Sequence, residues 1–239
     1  VAAVIALFGR IGQRRRVPAR IQALQSFPDN RVLSVLLHLR GYWQGHQPGQ
    51  FALVTFDPRE GPHPYTIASA WTNDGTLQFM IKASGDYTAT LPSTLRRGLR
   101  ATVEGPYGTF RFDGPQHRQI WIGAGIGITP FIAHLGALAA PPDQGSHEVD
   151  LFYVTQLPDE QFFARLQRQA EAAGVTLHIH VSGRDPRLTG EVVREKLPDW
   201  STASIWFCGP VAMGDTLEAN MQRWGLPAGA FHRELFQMR

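Results

Sequence analysis

Several short stretches of the sequence gather side chains suited to holding a cofactor. His63-Pro64-Tyr65-Thr66-Ile67-Ala68-Ser69 sets an aromatic ring and hydroxyls on one short strand. The Tyr65 ring can stack on a flat heterocycle, and the Thr66 hydroxyl can offer a hydrogen bond. Alternation puts Tyr65 and Ile67 on one face and Thr66 on the other. Lys82-Ala-Ser-Gly85-Asp-Tyr-Thr88 is a polar loop after a strand, where Gly85 and Thr88 can approach phosphate through a backbone N–H and a hydroxyl. Gly105-Pro-Tyr-Gly108 is a tight turn. Taken singly, each also reads as plain turn chemistry.

A further stretch, Gly123-Ala-Gly125-Ile-Gly127-Ile-Thr129-Pro130, follows a strand and opens a helix. Glycines allow a tight turn and a close approach of pyrophosphate to the backbone, and the helix start offers free N–H groups and a positive dipole end. Thr129 suits the N-cap and Pro130 the first helical position. No Gly-Lys-Ser/Thr follows, which argues against a triphosphate P-loop. Ser182-Gly183-Arg184 ends another strand and could hold the 2′-phosphate of NADP, or be an ordinary solvated loop. Cys208-Gly209-Pro210 ends the last long strand. Cys208 is either a small contact for a nicotinamide or simply a core residue. No convincing acid–base dyad is present.

These residues must be positioned by two kinds of element. From Arg31 to Glu104 short strands (32–39, 51–56, 65–68, 77–82 and 100–104) are separated by Gly, Pro, Asn and Asp. That rhythm predicts an antiparallel barrel or sandwich. After about Asp113 strands at 119–122, 149–154, 175–181 and 204–208 alternate with helices at 130–140, 160–173 and 213–224. That alternation predicts a parallel sheet with helical crossovers. The boundary falls in Phe112-Asp-Gly-Pro-Gln116, and Pro141 to Ser146 reads as a mobile loop.

The 239 residues, 43% of them hydrophobic, are enough for two domains with real cores. The single cysteine excludes a disulfide, a four-cysteine zinc site and a cysteine-held iron–sulfur cluster within the chain. The net charge is only +3, and the basic residues are almost all arginine without clustering, so no nucleic-acid surface is read. Val1 to Phe8 is an apolar run followed by Arg10 and Arg14-Arg15-Arg16. A bilayer span needs about 20 apolar residues, so this run is too short. Its charges follow the run, which is the wrong order for a signal peptide and the order seen where a membrane helix emerges on the cytoplasmic side. The other reading is a short helix packed on the body. The start without methionine fits a segment cut from a longer chain.

In combination and in order, these motifs resemble the ferredoxin–NADP reductase superfamily, and within it the dehydrogenase portion of the ferric reductase and NADPH oxidase branch. His63-Pro-Tyr-Thr-Ile67 and Gly85-Asp-Tyr-Thr88 look like its flavin motifs. Gly105-Pro-Tyr-Gly108, the Gly123 to Pro130 turn, Cys208-Gly-Pro210 and Phe231-His-Arg-Glu-Leu-Phe236 follow in family order. The resemblance covers Val17 to Arg239.

It implies an all-β antiparallel six-stranded FAD-binding barrel (17–114) followed by an α/β NADP-binding domain with a parallel five-stranded sheet (115–239), after a membrane-helix stub or N-terminal helix (1–16). Tyr65 would stack on the flavin, and Thr66 would bond near its N5. Pro64 and Ile67 belong to the same motif. His63 stands where soluble ferredoxin reductases carry arginine for the FAD pyrophosphate. Lys82, Gly85 and Thr88 would serve the flavin phosphates or ribityl chain. Gly123, Gly125, Gly127 and Thr129 would cradle the NADP pyrophosphate. Ser182 and Arg184 would select NADPH. Cys208 and Gly209 would lie by the nicotinamide, and Glu234 and Phe236 by the flavin.

The implied activity is NADPH-dependent FAD oxidoreduction. Thr66, Cys208, Glu234 and Phe236 stand at the reacting rings, and no metal site is expected. Electrons would pass singly to haem in a membrane domain upstream, which places this segment on the cytoplasmic face. A soluble carrier or a ferric chelate is the other acceptor. The alternatives are a soluble ferredoxin or flavodoxin reductase, and a non-catalytic nucleotide-binding module.

Overall fold

A computed structural model describes residues 15–114, 116–140 and 147–234. The apolar start up to Arg14, the Pro141–Ser146 loop and Phe236 lie outside the described residues. Six strands form the first sheet: β1 (Arg16–Phe27), β2 (Val32–Leu39), β3 (Phe51–Thr55), β4 (His63–Thr66), β5 (Thr76–Lys82) and β6 (Arg100–Tyr107), with helix α1 (Asp86–Thr94) before β6. Every pairing is antiparallel, in the order β4-β3-β6-β1-β2-β5. The two outer strands then meet: Ile67 bridges to Phe79, and the Ala68 N–H donates to the Gln78 carbonyl at 2.7 Å. That contact closes the sheet into a barrel, and closure removes the free edges that would otherwise invite pairing. Val35, Leu37, Ala52, Val54, Ile67, Leu77, Phe79 and Val103 fill its interior.

The second sheet is parallel, in the order β11-β10-β7-β8-β9. Its strands are β7 (Arg118–Ala124), β8 (Glu148–Thr155), β9 (Thr176–Val181), β10 (Ser204–Cys208) and β11 (Phe231–Glu234). Helices α2 (Thr129–Leu138), α3 (Glu160–Ala172), α4 (Gly190–Lys196) and α5 (Val211–Arg223) connect them. Covered on both faces, Gln119 to Gly123 and Ser204 to Cys208 are buried residue after residue, as parallel strands require. The chain builds outward from β7 through β8 to β9, then returns to β10 on the other side. The strand order therefore reverses between β7 and β10, where open α/β sheets bind ligands.

The two sheets share one core. Phe27, Val32, Ala68, Met80, Phe110 and Phe112 pack in the same buried cluster as Trp121, Phe131, Phe162 and Trp206. Phe27, at the tip of β1, meets Phe162 of α3 edge-on at 5.4 Å. The Arg165 guanidinium lies over the same ring at 5.8 Å and donates to Gln25 at 3.2 Å. The β1–β2 hairpin is thus the tongue by which the barrel engages the second sheet.

Candidate active site

At the carboxyl ends of the parallel strands lies a cleft of about 760 Å3. The turn after β7 forms its floor. This is a 3-10 turn over Gly125–Ile128, and it advances the helical chain by four residues. Thr129 is therefore already helical (φ −58°, ψ −47°) instead of being the expected N-cap, Ile128 takes the cap, and Pro130 falls on the second helical position. The Thr129 hydroxyl donates back to the Ile126 carbonyl.

The three glycines divide their work. A Cβ on Gly127 would sit 2.2 Å from the Cys208 carbonyl, and one on Gly123 2.9 Å from Ile128 Cα. Those two let β7, the turn and β10 pack together. Gly125 has φ +56°, and the nearest atom to a Cβ there is the Lys82 ammonium at 3.7 Å. Gly125 is the glycine that faces the barrel across the cleft, with backbone N–H groups at the start of a helical segment suited to an anion.

The opposite wall belongs to the barrel: Asn30, Val32, Lys82 and Ser84. Sequence reasoning singled out Lys82 among these and not Ser84, although it lies in the same quoted loop, and missed Asn30, which carries no motif. Gly85 and Thr88 are not in the cleft wall. They form the start of α1, where the Thr88 hydroxyl accepts from the N–H groups of Ser84 and Gly85, each at 3.1 Å. The loop after β9 contributes Ser182, Asp185 and Arg187. Arg184 does not line the cleft. It is exposed and held at 3.4 Å by Asp185. The exposed arginine facing the cleft from this loop is Arg187, which the Ser-Gly-Arg pattern did not indicate.

Beyond β10, Gly209 and Pro210 line the cleft but Cys208 does not. Its side chain is fully buried in the shared core. Burial, and then the Glu234 charge, push the thiol well above its usual range. Cys208 and Glu234 are register partners at the ends of β10 and β11. Glu234 is half-buried, and that burial raises its carboxyl above the ordinary value. Of the two readings of Cys208, small nicotinamide contact or core residue, its burial is that of a core residue.

On the barrel, His63 lies flat against Tyr87 of α1 (4.5 Å, 20°) and more distantly against Tyr65 (6.4 Å, 28°). The His63 Nε2, Tyr65 hydroxyl and Tyr87 hydroxyl are all buried without a hydrogen-bond partner. Burial, with a smaller effect of Tyr87, pushes the Tyr65 phenol far up. Thr66 and Ile67 are both buried, 6% and 0% exposed, while Tyr65 is half-exposed and Pro64 exposed. The strict alternation expected for Tyr65, Thr66 and Ile67 fails because β4 ends at Thr66, and Ile67 turns in to close the barrel against Phe79. Three orphaned polar atoms on stacked rings fit a planar, polar-edged group such as a flavin, since a buried donor without a partner costs about 1–3 kcal/mol. Tyr87, part of a quoted motif, was not singled out from sequence.

Residues 17–111 match a protein family described as an FAD-binding domain. The chain is 26% identical over 196 residues to the reductase component of propane 2-monooxygenase from Rhodococcus jostii, covering 73% of this chain and 52% of that protein. It is 32% identical over 115 residues to NADPH oxidase 1 of Rattus norvegicus, covering 45% and 20%. Among solved structures it superposes on phthalate dioxygenase reductase with a TM-score of 0.76 at 21% identity, over 93% of this chain and 68% of that one. The chain spans 52–60% of the length of the first curated relatives it matches.

Barrel, parallel sheet and shared cleft define a two-domain architecture, an antiparallel barrel followed by a parallel α/β sheet. Residues 17–111 carry the match to an FAD-binding domain, and the chain as a whole has the two-domain fold of phthalate dioxygenase reductase.

Proposed function

We propose that the chain takes reducing equivalents from NADPH through FAD and passes them singly to a haem or ferric acceptor. The observation that carries this reading is the cleft itself. The dinucleotide turn of one sheet and the flavin-domain residues Lys82 and Ser84 of the other line the same space. FAD, when bound, supplies the conversion of a two-electron donor into one-electron steps.

The protein's part is binding, orientation and exclusion of water. His63, Tyr65 and Tyr87 provide ring faces and three unpartnered polar atoms for the flavin side. Thr66 brings a buried hydroxyl beside them. The Gly125–Ile128 turn and the Lys82 ammonium offer N–H donors and a positive charge to a pyrophosphate. Ser182 and Arg187 line the cleft, and in this reading they hold a 2′-phosphate and so select NADPH over NADH. In this reading Glu234, whose carboxyl burial raises above its ordinary value, is the acidic group near the flavin, at the ends of β10 and β11. Phe236 follows it two residues on, outside the described residues.

Two observations bear on the acceptor. The stretch similar to NADPH oxidase 1 supports a membrane haem partner, with this segment on the cytoplasmic face. The longer match to the propane 2-monooxygenase reductase component supports a soluble oxygenase partner. No helix among the described residues is long and apolar enough to cross a membrane.

Anaerobic addition of NADPH to the FAD-loaded chain should bleach the flavin absorbance, and ferricyanide should restore it. A chain that stays colourless after incubation with FAD, or a flavin that NADPH does not bleach, refutes the proposal. Restoring the colour with a b-type haem protein, against an oxygenase ferredoxin, separates the two acceptors.

A further inference from the structure

The β1–β2 hairpin carries a side chain that neither the motifs nor the family match account for. Asn30 sits at its turn, between Pro28-Asp29 and Arg31, and Arg31 adopts φ +57°. The Asn30 Oδ1 accepts from the Val32 N–H at 3.1 Å. Only an oxygen can accept that bond, so the amide orientation is set, and the Nδ2 is the free end. Asn30 is 4% exposed, lies in the wall of the cleft, and its Nδ2 is buried with no partner. A turn alone would be served by aspartate, which supplies the same acceptor without stranding a donor. The asparagine therefore leaves an unpaired N–H beside Lys82 and Ser84, on the wall facing the Gly125 turn.

The geometry points to Asn30 as a ligand of the pyridine nucleotide, its amide donating to a phosphate oxygen held between the barrel and the Gly125–Ile128 turn. This rests on the function proposed above and adds a specific consequence. The nucleotide site is composite, and Asn30 and Val32 of its barrel half are presented by the same hairpin that locks the two sheets together through Phe27 and Arg165. Apart from Asn30, Val32, Lys82 and Ser84, the cleft is lined by the parallel sheet, which favours the pyridine nucleotide over FAD as the source of that phosphate.

The test is calorimetric titration of the FAD-loaded, full 239-residue chain with NADP+ and with NAD+, comparing wild type, Asn30→Asp and Asn30→Ala. Asn30→Asp keeps the acceptor for Val32 but replaces the donor by a negative charge. It should weaken both nucleotides about twentyfold or more, and Asn30→Ala about fivefold. Flavin content and thermal unfolding should stay close to wild type in Asn30→Asp. Wild-type affinity in folded Asn30→Asp overturns the inference; should that variant not fold, wild-type affinity in Asn30→Ala does so. Loss of flavin with nucleotide affinity unchanged overturns it as well. A wild-type chain that binds neither nucleotide overturns the proposed function, and this inference with it.

Discussion

At the scale of single residues, the site is legible through groups left without partners and groups whose pKa burial shifts. Tyr65 has a buried hydroxyl with nothing to bond, on a ring positioned for stacking. Replacing it by alanine removes an aromatic face worth about 0.5–1.5 kcal/mol beyond its area. Tyr65→Ala should therefore lose flavin on gel filtration, seen as a lower ratio of flavin to protein absorbance. Unchanged occupancy would mean another group does the stacking. The two arginines after β9 separate in the same way. Arg187 faces the cleft while Arg184 is engaged by Asp185, so Arg187→Ala should raise the KM for NADPH about tenfold with little effect on NADH. Arg184→Ala should do much less, and the reverse ranking would restore Arg184 as the phosphate ligand. His134 of α2 is a structural case. It is wedged against Phe112 at 4.3 Å and Trp121 at 4.9 Å, with its Nδ1 unpartnered. Burial, and then the His147 charge, lower its pKa from 6.5 to about 4. The folded state disfavours the imidazolium, so this contribution to stability is complete above pH 6.5 and fades as pH falls toward 4. The full effect is about 3 kcal/mol. His134→Phe should flatten the fall in melting temperature between neutral pH and pH 4.5, and an unchanged slope would assign the acid sensitivity to other groups.

Elements show why a glycine-rich turn is only partly readable from sequence. The Gly123 to Pro130 pattern identifies a strand–turn–helix but cannot say which glycine meets a ligand and which meets the chain. Gly127→Ala would drive a Cβ to 2.2 Å from the Cys208 carbonyl, so it should lower the melting temperature by several degrees through displacement of β10. Gly125→Ala has space around it but a left-handed backbone, a cost of about 1–2 kcal/mol. It should hurt nucleotide affinity more than stability, and equal losses in both variants would erase the division. The same limit explains the elements that sequence patterning missed. β1 hides its alternation behind Pro18, small alanines and a register shift between Ile21 and Ala23. Helix α1 contains Pro92 and three threonines, and its start is held by the Thr88 hydroxyl, so neither propensity nor periodicity announces it. Strands β2, β5, β7 and β8 were legible because each carries a continuous or near-continuous buried run. Residues such as Asn30 and Arg187 were not, since they reach the cleft only through tertiary folding.

For the whole molecule, the shared core decides how the two sheets respond to stress. Two domains joined by a polar, hydrated contact would unfold independently and move relative to one another. Here Phe27 is wholly buried among residues of both sheets, and Phe110 and Phe112 bridge from the barrel to Trp121, Phe131 and Trp206. A cleft whose walls come from different domains keeps its width only if those domains hold their relative position. The core beneath it supplies that rigidity. Scanning calorimetry of the FAD-loaded chain should therefore show one cooperative transition. Phe27→Ala removes a ring whose loss costs about 3–5 kcal/mol, and it should split the transition in two and weaken pyridine nucleotide binding although Phe27 is not in the cleft wall. Two resolved transitions in the wild type would show instead that the sheets are thermodynamically separate. In that case the affinity of the composite cleft would have to come from the bound nucleotide drawing its two walls together.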